Sequence, residues 1–167
     1  MSDELLAAAL GAIGRKERTE SEIREWLVER EADPEEVERV VGCLLENLAI
    51  DDERFAVGYV EDKRRLSGWG NDRIETSLRD RGVPWHLISA ALARDGEESE
   101  VDRAARVLVE KGSELGDDRA CQRALGLLAR RGFCAEDAYA AIRRAREYLV
   151  EGQRPAERTL GGHQSVQ

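Results

Sequence analysis

The side chains in this chain with the clearest chemical potential are three pairs of adjacent acids, Asp51-Asp52, Glu97-Glu98 and Asp117-Asp118. Paired carboxylates can perform acid–base catalysis or bind a hard cation. Each of these pairs, however, lies immediately before a predicted helix, where free backbone amides attract an anionic acceptor. We therefore interpret the pairs as helix caps rather than as a catalytic or metal site.

Histidine and cysteine do not point to a reactive centre. The chain has two histidines, His86 and His163, and three cysteines, Cys43, Cys121 and Cys134, with no C-x-x-C spacing. Zinc sites and redox pairs normally need clusters of these residues. We expect His86 to lie half exposed along a helix and the cysteines to be reduced and partly buried. We therefore expect no metal and no cofactor.

An internal repeat in the sequence predicts the helices that carry these residues. Its equivalent positions are Ile23, Leu27 and Arg30, then Ile74, Leu78 and Arg81, then Ala124, Leu128 and Arg131. The interval from Leu27 to Leu78 is 51 residues, and the interval from Leu78 to Leu128 is 50. A repeat of this length predicts an array of small helical units, each packed partly against its neighbours. Such arrays offer long binding surfaces rather than enclosed catalytic pockets.

Charge is high and unevenly distributed. The chain has 37% charged residues, and 26 basic against 35 acidic residues give a net charge of −9. The first 50 residues carry −7 of this charge, from 13 acids and 6 bases. Direct DNA binding is therefore expected to be weak. The cluster Lys63-Arg64-Arg65 could form a local basic strip, although a solvated helix face is the simpler interpretation.

We predict neither a secretory signal nor a membrane span from this sequence. The first residues are acidic, whereas a secretory signal begins with basic residues. No apolar run approaches the roughly 18 to 20 residues that a membrane span needs. We expect a cytoplasmic protein, and a monomer.

Capping patterns predict where the helices of the first unit begin. Thr19 precedes Glu22 by three residues, which is the spacing of a capping box. Asp33 followed by Pro34 places an N-cap acid before a proline at the first helical position. These patterns predict one helix from about residue 20 and another from about residue 34.

Glycines predict where two of the later helices end. Gly82 and Gly132 follow arginines and can take the left-handed conformation that ends a helix. Val83 and Phe133 come next and should pack back on the helix that ends there. The first unit has Glu31 at the equivalent position, so we expect its turn to be built differently.

Aromatic spacing predicts a buried stripe on the helix near residues 52–66. Phe55, Tyr59 and Leu66 share one side of that helix, and a core role is favoured over ligand binding. Together these signals predict an all-α fold of three tandem three-helix repeats in an elongated, curved array. The predicted limits are 1–50, 51–95 and 96–150, followed by a disordered tail at 151–167.

The segment AIDDERFAVGYVEDKRRLSGWGNDRIETSLRDRGV, residues 49–83, resembles the signature segment of the RecX family, bacterial regulators of the recombinase RecA. The resemblance is carried by Asp51, Asp52, Phe55, Ala56, Tyr59, Val60, Arg64, Arg65, Gly68, Gly70, Ile74, Leu78 and Gly82. The third unit resembles the family's closing repeat through Leu128, Arg131, Gly132 and Phe133. The likeness spans about residues 5 to 148.

The resemblance implies a protein that is not an enzyme and that binds RecA and its filament on DNA. It implies that filament extension is blocked or disassembly promoted, so that homologous recombination, DNA repair and the SOS response are modulated. We assign the main contact to the middle unit, with Arg64, Arg65 and Arg73 as polar contacts. Trp69 is either an aromatic anchor or packs over the adjacent helix start.

Two other functions stay open on the sequence alone. Three-helix units resemble helix-turn-helix modules, so the chain could be a helical DNA-binding protein. It could also be a helical adaptor that acts without RecA. The RecX family is often basic and this chain is acidic, which disfavours direct DNA binding more than recombinase binding. The acidic first unit could instead face basic DNA-binding loops of the recombinase.

Overall fold

A computed structural model describes residues 2–94, 96 and 98–152, and within these residues the chain forms nine α-helices and no strand. The helices are α1 (Ser2–Arg15), α2 (Glu20–Val28), α3 (Pro34–Glu46), α4 (Asp52–Ser67), α5 (Asn71–Asp80), α6 (Trp85–Leu92), α7 (Glu100–Glu110), α8 (Asp118–Arg130) and α9 (Ala135–Gly152). The all-α prediction is confirmed. Helix α9 runs two residues into the segment predicted as a tail, and the rest of that segment, from residue 153, lies outside the described residues. No helix in the described part of the chain is long and apolar enough to cross a membrane.

Each set of three consecutive helices encloses its own hydrophobic core, and we call these sets the first, middle and third units. The first core contains Ile23, Leu27, Val40, Val41 and Leu44. The middle core contains Phe55, Val60, Ile74, Leu78 and Ile88, and the third contains Leu108, Leu128, Phe133, Ala141 and Ile142. Within the described residues, whenever two helices are in extensive contact, both belong to the same unit. The chain is therefore an array of separately packed modules.

The helix starts of the first unit follow the predicted capping chemistry. Thr19 and Glu22 form a complete capping box, with each side chain accepting the other residue's backbone amide at 3.2 Å. The Asp33 side chain accepts the Glu36 amide at 2.9 Å, and Pro34 begins α3. Both predictions are confirmed.

Two of the three acid pairs supply a helix cap, the described member of the third pair does not, and Glu97 lies outside the described residues. Asp51 and Asp117 each accept the backbone amide three residues further on, at 2.9 Å and 2.6 Å. Capping by Glu98 is wrong, because Ser99 caps α7 instead. The Glu98 carboxylate forms two hydrogen bonds with Arg106, at 3.0 and 3.1 Å.

The three turns that end α2, α5 and α8 have one conformation. Gly82 and Gly132 have φ values of 76° and 83°, and Glu31 has a φ of 61°. In each turn the following amide donates to the carbonyl four residues before the turn residue, at 3.1, 3.1 and 3.3 Å respectively. The expectation that Glu31 needs a different turn is therefore wrong. A non-glycine residue holds this left-handed conformation at a cost in backbone strain.

Leu66 does not belong to the buried stripe predicted for α4. Its side chain is 71% exposed, whereas Phe55 is buried. The inward line of the helix runs through Ala56, Val60 and Arg64 at intervals of four residues. Leu66 is two residues beyond Arg64, which turns its side chain about 200° away from that line. The leucine therefore lies on the outer surface of the middle unit.

The described cysteines are free thiols, and two of the three fit the expectation. Cys43 and Cys121 are partly buried, whereas Cys134 is exposed. The Cys134 sulfur lies at the start of α9, where it accepts the Asp137 amide at 3.4 Å. A position at a helix start leaves its side chain facing solvent, so the prediction of partial burial is wrong for Cys134.

The first and middle units meet where the start of α2 lies against the turn that ends α5, and we call this contact the first joint. The Thr19 hydroxyl donates to the Arg81 carbonyl at 2.7 Å, and the Glu20 amide donates to the Asp52 carboxylate at 2.9 Å. The Arg81 guanidinium forms two hydrogen bonds with Glu22, at 2.7 and 2.8 Å. The positive end of one helix dipole thus faces the negative end of another.

The middle and third units meet in the same way at the second joint, where the start of α5 lies against the turn that ends α8. The Gly70 amide donates to the Arg131 carbonyl at 2.8 Å, and the Asp72 amide donates to the Gly132 carbonyl at 3.2 Å. The approach depends on both glycines. A Cβ at residue 70 would overlap the Gly132 carbonyl, and a Cβ at residue 132 would overlap the backbone of Arg73.

Side chains from α7 complete the second joint. The Asn71 amide donates to the Glu100 carboxylate at 2.7 Å, which matches the position of the acid in the first joint. The Arg103 guanidinium donates to the Trp69 carbonyl at 3.0 Å. Burial raises the pKa of Glu100, although the Asn71 hydrogen bond opposes this. The same head-to-tail contact therefore recurs along the array and fixes the order of the units.

Candidate interaction surface

Arg64 is partly buried, and its guanidinium bonds to other residues of the middle unit. Its guanidinium donates to the Asn71 side-chain oxygen at 3.0 Å and to the carbonyls of Leu92 and Arg94 at 2.8 and 3.2 Å. Burial lowers the pKa of Arg64, although nearby Glu100 opposes this. The side chain thus ties the end of α6 to the start of α5. Its predicted contact with a partner stays a prediction, whereas its internal contacts are present in the fold.

Arg65 has the opposite environment. Its side chain is 77% exposed, and within the described residues its ion pair is with Asp62, three residues earlier, at 3.6 Å. Exposed pairs of this kind contribute little stability, so the guanidinium can exchange this partner for another at small cost. The exposed Leu66 follows it. An arginine beside an exposed apolar side chain is a combination typical of protein interfaces.

Trp69 is held between two cations next to the second joint. The Lys63 ammonium lies 4.9 Å from the centre of the Trp69 ring and 4.9 Å from that of Tyr59. The Arg73 guanidinium lies 4.1 Å from the Trp69 ring centre and also donates to the Arg130 carbonyl at 3.1 Å. The indole is partly exposed. Trp69 packs against the middle core, as one of its two interpretations predicts, and its contact with a partner stays a prediction.

A groove of about 870 Å³ lies between α4, the end of α6 and α7. Five of its lining residues are arginines: Arg64, Arg65, Arg94, Arg103 and Arg106. The lining also includes three acids, Glu61, Asp62 and Glu98, and Arg106 pairs with Glu98 at 3.0 Å. The groove therefore presents mixed charge. A continuous phosphate track would require a run of cations without such neutralising acids.

The residues assigned to the family motif build the unit and its joints. Phe55 is buried, and the Tyr59 hydroxyl is 2.6 Å from the Ser77 hydroxyl. Gly68 ends α4 with a φ of 58°, and a Cβ there would be 2.6 Å from a methyl group of Val107 in the third unit. The other motif residues, Asp51, Asp52, Gly70, Ile74, Leu78, Gly82, Gly132 and Phe133, lie in the caps, cores and joints described above.

Sequence reasoning missed the buried arginine of the second joint. Arg103 is 2% exposed, and burial lowers its pKa while the charge of Glu100 opposes this. A signal was present: Arg103 lies four residues before Val107 and beside Ala104, on the apolar stripe of α7. A charged residue on such a stripe indicates either an error in the helix assignment or a contact with a neighbouring unit. Here the contact is with the middle unit.

Comparison with known proteins identifies the family. The family model described as "RecX, second three-helix domain" matches residues 51–92, and "RecX, first three-helix domain" matches residues 6–44. A regulatory protein RecX from Halorhodospira halophila is 34% identical over 151 residues, which cover 87% of this chain and 91% of that protein. The regulatory protein RecX of Deinococcus radiodurans is 39% identical over 149 residues, which cover 87% of this chain and 70% of that protein.

Solved structures show the same fold. The crystal structure of RecX from Lactobacillus salivarius superposes with a TM-score of 0.77 at 19% identity, and the match covers 87% of this chain and 97% of that one. A second crystal structure of a regulatory protein RecX gives a TM-score of 0.74 at 24% identity, with coverage of 86% and 73%. Both likenesses concern the fold alone. Taken with the matched domains and the sequence relatives, they lead to one conclusion: the chain belongs to the RecX family of regulatory proteins.

Proposed function

We propose that this protein is a non-enzymatic negative regulator of RecA that acts in the cytoplasm. It binds the recombinase and its filament on DNA, blocks extension or promotes disassembly, and so modulates recombination, DNA repair and the SOS response. Membership of a family of regulatory proteins supports this role. The groove of mixed charge and the net charge of −9 favour a protein partner over naked DNA.

The observation that carries this proposal is the pair of head-to-tail joints, which line up three similar units in one chain. A helical filament presents the same patch on every protomer. A row of units can therefore contact neighbouring protomers, and its second contact forms at high effective concentration. If the row fits one filament state better than another, binding shifts the filament toward that state. The limits of the units at residues 1–50, 51–95 and 96–150 stay a prediction from the sequence.

The proposed contact surface is on the middle unit and consists of Arg65, Leu66, Arg73 and the partly exposed Trp69. These residues lie along the end of α4 and the start of α5. Arg64 supports this surface from inside through its bonds to the end of α6. Arginine and tryptophan are enriched among the residues that dominate interface energies.

The test is inhibition of RecA-catalysed strand exchange and of its DNA-dependent ATP hydrolysis, with purified proteins. The wild-type protein should inhibit both reactions. Arg65→Glu should raise the concentration for half-inhibition by about tenfold, as expected for one of the few side chains that contribute strongly to an interface. Arg64 stays unchanged, because replacing it would disturb folding.

The matched control is Arg39→Glu in the first unit. Arg39 is also exposed, at 54%, and its acid partner Glu36 is also three residues earlier, at 3.8 Å. The two variants therefore make the same charge change in the same local setting. A wild-type protein that leaves both reactions unaffected would refute the function. Equal loss of inhibition in the two variants would refute the location of the surface.

A further inference from the structure

The two joints have the same topology but different chemistry. In the first joint, every hydrogen bond between described residues involves a side chain. Besides the bonds of Thr19, of Glu20 with Asp52, and of Arg81 with Glu22, the Arg81 guanidinium donates to the Glu17 carbonyl at 3.1 Å. The contact is therefore made largely through charged and polar groups at the ends of side chains.

The second joint adds direct contact between the two backbones. Its Gly70 and Asp72 amides donate to carbonyls of the turn that ends α8. The Arg131 guanidinium also donates to the Ser67 carbonyl at 2.7 Å, and Arg103 crosses from the third unit into the middle one. The bonds of Gly70 and Asp72 join backbone groups, and the helices fix the positions of those groups. The second joint can therefore change its angle only by breaking these bonds.

Two sequence differences produce this asymmetry. Thr19 and Gly70 are equivalent, since each lies eight residues before the repeated leucine. The threonine reaches its partner carbonyl through a hydroxyl, whereas the glycine has no Cβ and lets its own amide make the contact. Glu22 and Arg73 are likewise equivalent. Glu22 forms an ion pair across its joint, whereas Arg73 at the second joint donates to a carbonyl.

We propose that the first joint is a hinge and the second is rigid, so that α1–α3 swing as one body against α4–α9. The side-chain bonds of the first joint can follow a change in the angle between the units by rotation within the side chains, and the Arg81–Glu22 pair, whose side chains are 19% and 21% exposed, limits the range of that motion. Opening the second joint would break hydrogen bonds between backbone groups that lie too close together for a side chain to fit between them. The hinge does not depend on which partner the protein binds.

The experiment measures two distances in the full chain by pulsed electron spin resonance. Spin labels are attached at cysteines introduced by Glu35→Cys, Ser89→Cys and Glu136→Cys, one exposed position in each unit, with the native cysteines replaced by alanine. The distance distribution between labels 35 and 89 should be at least twice as wide as that between 89 and 136. Equal widths would overturn the proposal.

Glu22→Gln tests the cause of the motion. Glutamine keeps the capping box of α2, because its side-chain oxygen can still accept the Thr19 amide, but it removes the charge that holds Arg81. The 35–89 distribution should widen further, by about half, while the 89–136 distribution stays unchanged. Glu38→Gln is the control, since Glu38 pairs with Arg24 inside the first unit. If Glu22→Gln gives the same widths as Glu38→Gln, the ion pair does not restrain the hinge and the proposal fails.

Discussion

The second joint makes a sharp prediction for the replacement of Gly70 by alanine. A methyl group at this position would overlap the Gly132 carbonyl and lie 2.6 Å from the Phe133 amide nitrogen. Both obstacles are backbone atoms in a turn between α8 and α9, so neither can move aside as a flexible side chain would. The backbone of Gly70 itself is extended, with a φ of −77°, and alanine can adopt it. The expected damage therefore comes from the joint.

The magnitude follows from the contacts that the methyl group breaks. Two hydrogen bonds between backbones are lost, from the Gly70 and Asp72 amides, each with a net contribution of about 1 kcal/mol. Alanine at the N-cap of α5 costs about another 0.5 to 1 kcal/mol relative to glycine. We expect Gly70→Ala to lower the free energy of unfolding by about 3 kcal/mol. For a chain of this size, the midpoint of thermal unfolding should fall by roughly 6 to 12 °C.

Urea unfolding followed by far-ultraviolet circular dichroism measures this change. Gly58→Ala is the matched control, because Gly58 lies in the middle of α4 and a Cβ there meets open space. Glycine in a helix interior is less stable than alanine, so this variant should be stabilised by about 0.5 to 1 kcal/mol. If the units are uncoupled, the unfolding transition of Gly70→Ala should also be broader, which means that its free energy of unfolding depends less steeply on urea concentration. If both variants unfold at the same urea concentration with the same slope, the joint does not couple the units.

Three further predictions concern the first unit. Thr19→Ala should destabilise the protein by about 1 to 2 kcal/mol, whereas Thr19→Ser, which keeps the hydroxyl, should cost much less in urea unfolding. Glu31→Gly should stabilise it by about 1 kcal/mol, because glycine holds the left-handed turn without strain; an unchanged unfolding midpoint would contradict this. Burial alone would raise the pKa of Glu22, but its hydrogen bonds with Arg81 and Thr19 outweigh this and lower the pKa below its ordinary value of 4.5. Its stabilisation is present above about pH 4.5 and is lost as the pH falls through the lower folded value, so Glu22→Gln should flatten the acid limb of a stability–pH curve.

The repeat and the helix boundaries could be predicted from the sequence because their signals are local. A capping box at Thr19, a proline at the start of α3 and the glycine after Arg81 each act within one helical turn. The repeated leucine marks the centre of every core, at Leu27, Leu78 and Leu128. Local signals of this kind can be read from the sequence without knowing how neighbouring units pack.

The relation between units could not be predicted in the same way, because the partners in a joint are far apart in sequence. Arg81 reaches Glu22, 59 residues earlier, and Arg103 reaches Trp69, 34 residues earlier. Arg64 illustrates the consequence. Its place in a basic cluster indicates a solvated side chain, but the end of α6 supplies two carbonyls that draw it inward. The sequence of a basic cluster does not indicate which of its side chains lies close enough to backbone carbonyls to bond to them.

The same joint geometry explains why the repeated arginine has a different environment in the first unit. Arg81 and Arg131 each reach back to a preceding unit, but no unit precedes Arg30 in the described chain. Its guanidinium instead lies 3.6 Å from the centre of the Trp26 ring and donates to the Trp26 carbonyl at 3.1 Å.

The turn at Glu31 can carry a side chain because, within the described residues, no unit docks on it. A Cβ at Gly82 would overlap Ser21, and a Cβ at Gly132 would overlap Arg73, each of them part of the helix start that docks there. Glu31 holds the same turn with a Cβ in place. In the described chain, glycine therefore occupies this turn where another unit packs against it, and glutamate occupies it where none does.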